Sequence, residues 1–162
     1  MHRLIAETRA ALASQLFLLS LQSALATIDI CAALNSEDGR TSGAKFKEWF
    51  QTHLREKYPN VEPHDLYLIR CGVLHQGKLT GSGYDAILFT LPTASNNVFH
   101  NNTFDNALNL DLNIFVNEIL AAVETWWEAN RETTHVARNA SDMMQLRPNG
   151  LAPYIVGTPI LA

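Results

Sequence analysis

An arginine and a histidine lie five positions apart in the middle of the chain, at Arg70 and His75. Arginine is a permanent cation whose N–H groups suit phosphate oxygens, and histidine can take up or release a proton near neutral pH. Cleavage of a phosphodiester needs both abilities, because charge develops at phosphorus while protons move at oxygen. Arg70 and His75 are therefore the candidate catalytic residues.

The segment that carries this pair is predicted to be a helix over residues 63–76. Pro63 suits the first helical position, and Asp65 falls in the first turn, where the helix dipole favours an anion. Gly77 fits the position just past the end. These signals place Arg70 and His75 on one helix.

On a regular helix, Arg70 and His75 would be about 140° apart around the axis and about 7.5 Å apart along it. Tyr67 and Cys71 would project between them, where they are candidate supporting residues. We expect the pair to flank a strip of surface rather than to share one tight face. One such helix would then make half a site.

The segment from Tyr67 to Gly77 resembles the R-x4-6-H motif of the HEPN superfamily, with Arg70 as the motif arginine and His75 as the motif histidine. The resemblance extends from the N-terminus to about Gly77, plus one later helix. It implies a helical bundle, commonly dimeric, and in many members a metal-independent RNase of toxin, antiphage or RNA-processing systems. It also implies that the motif helices of two subunits face each other, so that two arginines and two histidines line one cleft.

One position departs from the motif of active members, which carry a polar Asn, Asp or His directly after the arginine. Here that residue is Cys71, and a thiol is a weak hydrogen-bond donor. This departure favours a second interpretation, a non-catalytic module that binds protein, RNA or a nucleotide. In that interpretation Arg70 is an ion-paired or surface residue, and His75 serves to finish the helix.

Asp29 is a third candidate site residue, because it is the only charged residue between Arg9 and Glu37. A carboxylate on an apolar helix needs a partner if it is buried, and Arg70 or His75 would serve. Asp29 would then orient the catalytic pair. The alternative is that it lies at a solvated edge near the helix end, where exposed carboxylates are common, and this alternative is favoured.

The composition predicts one domain spanning residues 1–162. Hydrophobic residues make up 47% of the chain, enough for a core, and no Pro/Gly/Ser-rich linker divides it. A net charge of −4 provides no broad basic surface, so any contact with RNA must be local. The two cysteines, Cys31 and Cys71, lack metal-ligand spacing and are expected to be reduced, buried thiols of a cytoplasmic protein.

Residues 3–34 are predicted to form one long helix that is central to the bundle or to a dimer interface. A signal peptide is the alternative, since two arginines precede an apolar run and Ala24-Leu25-Ala26 resembles a cleavage site. Glu7 and the polar residues within the run argue against both a signal peptide and a membrane span. No contact with a membrane is expected.

The rest of the chain predicts a mostly α fold, a HEPN-like helical bundle with an inserted β-hairpin. Apolar residues at helical spacing predict helices over residues 43–57 and 111–131, and Asp111 could cap the second. Strand-like runs at the two ends of residues 84–112 predict the hairpin. Residues 132–162 are expected to form an irregular tail with a short helix.

The functional prediction is a metal-independent endoribonuclease of the HEPN type, a toxin or an antiphage or stress-response protein. The expected partners are a second copy of the chain and RNA, with an antitoxin or regulatory protein as a further candidate. No cofactor and no metal site are predicted, because the sequence contains no zinc-finger spacing, no His-Glu-x-x-His and no phosphate-binding glycine loop. The non-catalytic binding module remains the alternative.

Overall fold

Helices dominate the computed structural model, which describes residues 1–93 and 97–162. The helices are α1 (His2–Ala13), α2 (Phe17–Leu34), α3 (Gly43–His53), α4 (Pro63–His75), α5 (Leu112–Asn130) and α6 (Thr134–Ser141). The strands are β1 (Ala86–Thr90), β2 (Asn102–Phe104), β3 (Ala107–Asp111), β4 (Leu146–Arg147), β5 (Gly150–Leu151), β6 (Ile155–Val156) and β7 (Ile160–Leu161). The predicted mostly α class is confirmed.

Helix α4, which carries the candidate pair, has the predicted termini. Pro63 occupies its first turn together with Asp65. After the last helical residue Gly77 adopts a left-handed backbone with φ of 63°, a conformation that glycine adopts without a steric penalty. The carbonyl of Gly72 accepts from the backbone N–H of Gln76 at 3.0 Å and also from that of Lys78 at 3.1 Å, which holds the chain after Gly77 against the helix end.

The single helix predicted over residues 3–34 is wrong, because the chain turns between α1 and α2. Gln15 has a φ of 60° and interrupts the helix. The turn lets α1 pack against α2 and α5, which buries Ile5 and Leu12. A straight helix would carry these side chains away from the core, so packing overrides the continuous helical pattern.

Helix α2 is the centre of the core. It packs against α1, α3, α4, α5 and α6, and Ala24, Leu25 and Ile28 are fully buried on it. By length and composition alone it is also long and apolar enough to cross a membrane, with a mean hydropathy of 1.7. The same composition is expected of a helix at the centre of a core, so it does not distinguish the two cases.

The hairpin predicted from the two ends of residues 84–112 is wrong, because β1 and β3 are parallel. The antiparallel partner of β3 is β2, which gives the sheet order β1-β3-β2. Asp105 and Asn106 form the turn between β2 and β3 with positive φ angles, which Asp and Asn tolerate better than most residues. Residues 94–96, in the connection from β1 to β2, lie outside the described residues.

The remaining predicted elements are present with shifted ends. Helix α3 ends at His53 rather than at residue 57, and α5 spans Leu112–Asn130. Asp111 caps α5 as predicted, because its carboxylate accepts from the N–H of Ile114 at 2.9 Å. In the tail the short helix is α6, and the extended segments pair as two small antiparallel sheets, β4 with β7 and β5 with β6.

Candidate functional site

An ion pair between two helices anchors the candidate arginine. Nε of Arg70 on α4 donates to Oδ2 of Asp29 on α2 at 2.5 Å, and the two side chains are only 17% and 13% exposed. Burial opposes the charge on Arg70, but the bond to Asp29 outweighs it and raises the pKa of the guanidinium. Of the two alternatives for Asp29, the pairing with Arg70 is confirmed and the solvated edge is wrong.

The same guanidinium contacts the candidate histidine. Nη1 of Arg70 lies 2.9 Å from Nε2 of His75. Because an arginine nitrogen can only donate, Nε2 must accept in this contact, and the neutral ring then carries its proton on Nδ1. His75 is exposed to solvent, so its other nitrogen can reach a ligand.

The predicted separation of the pair along the helix is therefore wrong at the level of the side chains. The Cα positions follow the helix, but Arg70 has a long side chain that runs toward the C-terminal end of α4 and meets His75 directly. Asp29 on α2 holds the guanidinium away from the backbone of Arg70. Sequence spacing describes the backbone, whereas a residue of another helix sets where this side chain ends.

Arginine carries five N–H groups, and the contacts of Arg70 show which of them are in use. The Nε–H serves Asp29, and Nη1 faces His75 and, at 3.8 Å, the thiol of Cys71. Nη2 has no partner among residues 1–93 and 97–162, and it is not buried. The site therefore offers two free N–H groups of a permanent cation to solvent.

Tyr67 and Cys71, the two supporting residues, lie together beside the arginine. The proximity of Cys71 raises the pKa of the Tyr67 hydroxyl. The Tyr67 ring packs against Phe46 at 5.8 Å between ring centres and lies so close to Gly43 that an added Cβ there would be 2.7 Å from the ring. The expectation of two buried thiols holds for Cys31, whereas Cys71 is only half buried.

Thr41 is a site neighbour that sequence analysis missed. Its hydroxyl donates to Oδ1 of Asp29 at 3.4 Å from the loop before α3. Asp29 therefore accepts from Arg70 through one oxygen and from Thr41 through the other. No local pattern connects these residues, since the contact depends on how α2, α3 and α4 pack.

The first turn of α4 holds a second carboxylate that the prediction assigned only to the helix dipole. Asp65 is buried, and its Oδ1 accepts from the backbone N–H of Ser82 at 2.7 Å, from the Ser82 hydroxyl at 2.9 Å and from the N–H of Gly83 at 3.2 Å. These bonds fix the Gly81-Ser82-Gly83 loop against the helix. Asp65 is thus a structural residue that connects α4 to the sheet.

An apolar groove of about 440 Å³ lies beside the C-terminal end of α4. Its lining includes Phe17, Leu21, Val73, Leu79, Phe89 and Leu91. On the same helix as two of these residues, Leu18 and Leu19 are 77% and 57% exposed. A large apolar surface therefore borders the helix end that carries His75.

No group of three or more His, Cys, Asp or Glu side chains that could hold a metal ion occurs in the part of the chain that the structure describes. The chemistry that the site itself offers is a fixed guanidinium with two free N–H groups and an exposed imidazole. An arginine of this kind can hold an oxyanion, and an imidazole can move a proton.

Comparisons with known proteins do not assign the chain to a family. No protein-family model, curated protein or solved structure matches it. The geometry around Arg70 is therefore the basis on which a function has to be proposed.

Proposed function

We propose that the protein is a metal-independent endoribonuclease of the HEPN type, which acts as a homodimer with a composite Arg70 and His75 site. The observation that carries the proposal is the contact between Arg70 and His75 at 2.9 Å, with Arg70 anchored by Asp29 at 2.5 Å. This contact brings together, at one place on the surface, a permanent cation that can bind a phosphate and an imidazole that can exchange protons with the oxygens bonded to phosphorus.

In the proposed reaction the 2′-hydroxyl of a ribose attacks the adjacent phosphorus. His75 of one copy takes the 2′ proton while the new P–O2′ bond forms and the P–O5′ bond breaks. His75 of the second copy, in its protonated form, gives a proton to the departing 5′ oxygen, and Arg70 stabilises the charge on the phosphorane-like transition state. The products would be a 2′,3′-cyclic phosphate and a 5′-hydroxyl.

The apolar surface beside α4 supports the dimer in this proposal. Leu18 and Leu19 are exposed next to a groove that reaches Val73 and Gly77, which lie two positions before and two positions after His75 in sequence. Burying exposed apolar side chains is the main favourable term in protein association. A second copy bound there would cover this surface and bring the two His75 side chains close to each other.

RNA cleavage by matched variants tests the proposal. His75→Gln keeps an acceptor for Arg70 but cannot transfer protons, so we expect about 10²-fold slower cleavage with an unchanged melting temperature. His64→Gln, which changes an exposed histidine at the other end of α4, is the control and should cleave at the wild-type rate. Chelator should leave the wild-type rate unchanged, and Cys71→Asn should preserve or raise it.

The alternative function is a non-catalytic module for protein, RNA or nucleotide binding, and the half-buried Cys71 next to Arg70 favours it. In that case no RNA is cleaved by the wild type or by Cys71→Asn. Arg70→Gln would then abolish binding of the partner, whereas His75→Gln would leave it intact. Under the toxin interpretation an antitoxin or regulatory protein is a further partner of the same surface.

A further inference from the structure

In the free chain the two candidate catalytic side chains are hydrogen-bonded to each other. The contact at 2.9 Å between Nη1 of Arg70 and Nε2 of His75 uses the lone pair of the imidazole. A general base needs that lone pair, and a general acid needs a proton on the same ring nitrogen. While the contact persists, Nε2 of His75 can serve in neither role.

We propose that a phosphate-type oxyanion opens this pair, by binding the guanidinium of Arg70 and so releasing Nε2 of His75 for proton transfer. This inference rests on the proposed function and adds to it a step in which the ligand itself prepares the base. The ligand class is an oxyanion of phosphorus, whether a phosphodiester within RNA or a free phosphate.

The free edge of the guanidinium indicates where the anion binds. Asp29 occupies Nε, which leaves the end formed by Nη1 and Nη2 to face a ligand. Both N–H groups of Nη2 are without a partner among the described residues, and the nitrogen is accessible. A phosphate can take one bond from Nη2 and one from Nη1, the forked geometry in which arginine binds phosphate.

The exchange of partners at Nη1 is favourable because its present partners are neutral. They are the imidazole of His75 at 2.9 Å and, at 3.8 Å, the thiol of Cys71. A phosphate adds the Coulomb attraction between opposite charges, which a neutral imidazole or thiol cannot offer to the guanidinium. Asp29 keeps the guanidinium in place during the exchange, because it holds Nε and not the end that the phosphate takes.

Long-range proton–nitrogen NMR on the full chain with labelled histidine tests the inference. At one fixed pH it reports which ring nitrogen of His75 carries the proton. The signals of His75 are assigned as those that disappear in His75→Gln. Without ligand we expect Nδ1 to carry the proton and Nε2 to accept. Inorganic phosphate, or an RNA octamer that 2′-O-methylation makes uncleavable, should shift the signals of Nε2 and of the Arg70 guanidinium with the same saturation curve.

Two variants distinguish the opening of the Arg70–His75 contact by a bound anion from a general effect of the anion. Arg70→Lys keeps a cation for Asp29 but lacks the second donor, so the Nε2 signal of His75 should show no ligand-dependent shift. Arg9→Lys changes an arginine in an exposed pair with Glu124, 2.8 Å away, and should behave as the wild type does. The wild-type titration decides the question even if Arg70→Lys does not fold.

A response to RNA, to phosphate or to both supports the inference, and a response to one alone identifies the source of the anion. Three results overturn it: His75 that carries its proton on Nε2 in the free protein, Arg70 signals that shift while His75 does not, or no response to either probe at millimolar concentration. RNA cleavage without a ligand-dependent shift of the His75 Nε2 signal would reject this inference and leave the proposed function standing. A shift of that signal without cleavage would support the inference and count against the nuclease.

Discussion

Arg70 and Asp29 form an ion pair at 2.5 Å although they are 41 positions apart in sequence. The pair joins α4 to α2, so the residue that we propose to bind a ligand is also part of the contact between two helices of the core. A substitution at Asp29 should therefore change both stability and function, and the two effects can be measured separately.

Replacing Asp29 with Asn should lower the free energy of unfolding by about 1–3 kcal/mol, because it leaves a mostly buried guanidinium without its charged acceptor. Denaturant unfolding of the wild type and the variant measures this difference. The control is Glu124→Gln in the exposed pair with Arg9, which should cost less than about 1 kcal/mol. Equal and small losses in the two variants would mean that the Asp29 pair is energetically no different from a surface pair.

Leu18→Glu should prevent formation of the proposed dimer without unfolding the monomer. The side chain is 77% exposed, so the monomer loses little by the change, whereas an apolar interface would have to bury a new charge. Sedimentation at micromolar concentration should show twice the chain mass for the wild type and one chain mass for the variant. The control is Val156→Glu in the tail, where the side chain is 73% exposed, and this variant should remain a dimer. A wild type that sediments as a monomer would contradict the composite site.

A cluster around Glu118 should make stability depend on acid pH. Its carboxylate accepts from the Tyr58 hydroxyl at 2.6 Å and from Nζ of Lys57 at 3.1 Å, with His100 3.6 Å away. Burial opposes ionisation of Glu118, but these bonds outweigh it and hold the pKa of the carboxyl below its usual 4.5. A lowered pKa in the folded state means that the stabilisation is present above pH 4.5 and is lost as the pH falls through the lowered value.

We therefore expect Glu118→Gln to lower stability at pH 7 and to reduce the further loss that the wild type shows below pH 4.5. Unfolding by denaturant at a series of pH values from neutral to acid measures both effects. The matched control is Glu132→Gln, whose side chain is 88% exposed and which should follow the wild-type curve. Parallel pH curves for the wild type and Glu118→Gln would show that the cluster does not titrate as described.

Gly72→Ala should destabilise the protein, although alanine is the better helix former by about 1 kcal/mol. An added Cβ would lie 2.5 Å from the carbonyl oxygen of Lys78 and 2.7 Å from the hydroxyl of Thr80, so the chain after α4 would have to move. We expect a loss of about 1–3 kcal/mol in the free energy of unfolding, as for other overpacked sites. Gln51→Ala, at an exposed position of α3, is the control and should change stability by about 0.5 kcal/mol or less. A more stable Gly72→Ala would mean that this close approach is not present in solution.

The sequence by itself determined the features that depend on neighbours within one or two helical turns. Pro63 and Gly77 mark the ends of α4, and Asp111 marks the start of α5, because caps and dipole interactions involve residues close along the chain. The same local rules placed Arg70 and His75 on one helix.

Only the tertiary structure decided the features that depend on distant partners. The turn at Gln15 forms because α1 gains contacts by folding back, and β1 pairs in parallel with β3, a strand that does not follow it directly in sequence. Asp29 could have faced solvent or Arg70, since either is compatible with its own helix, and the packing of α2 on α4 selected the arginine. The ion pair with Asp29 also places Nη1 of Arg70 next to Nε2 of His75, because the position of a long side chain depends on the partner that binds its end.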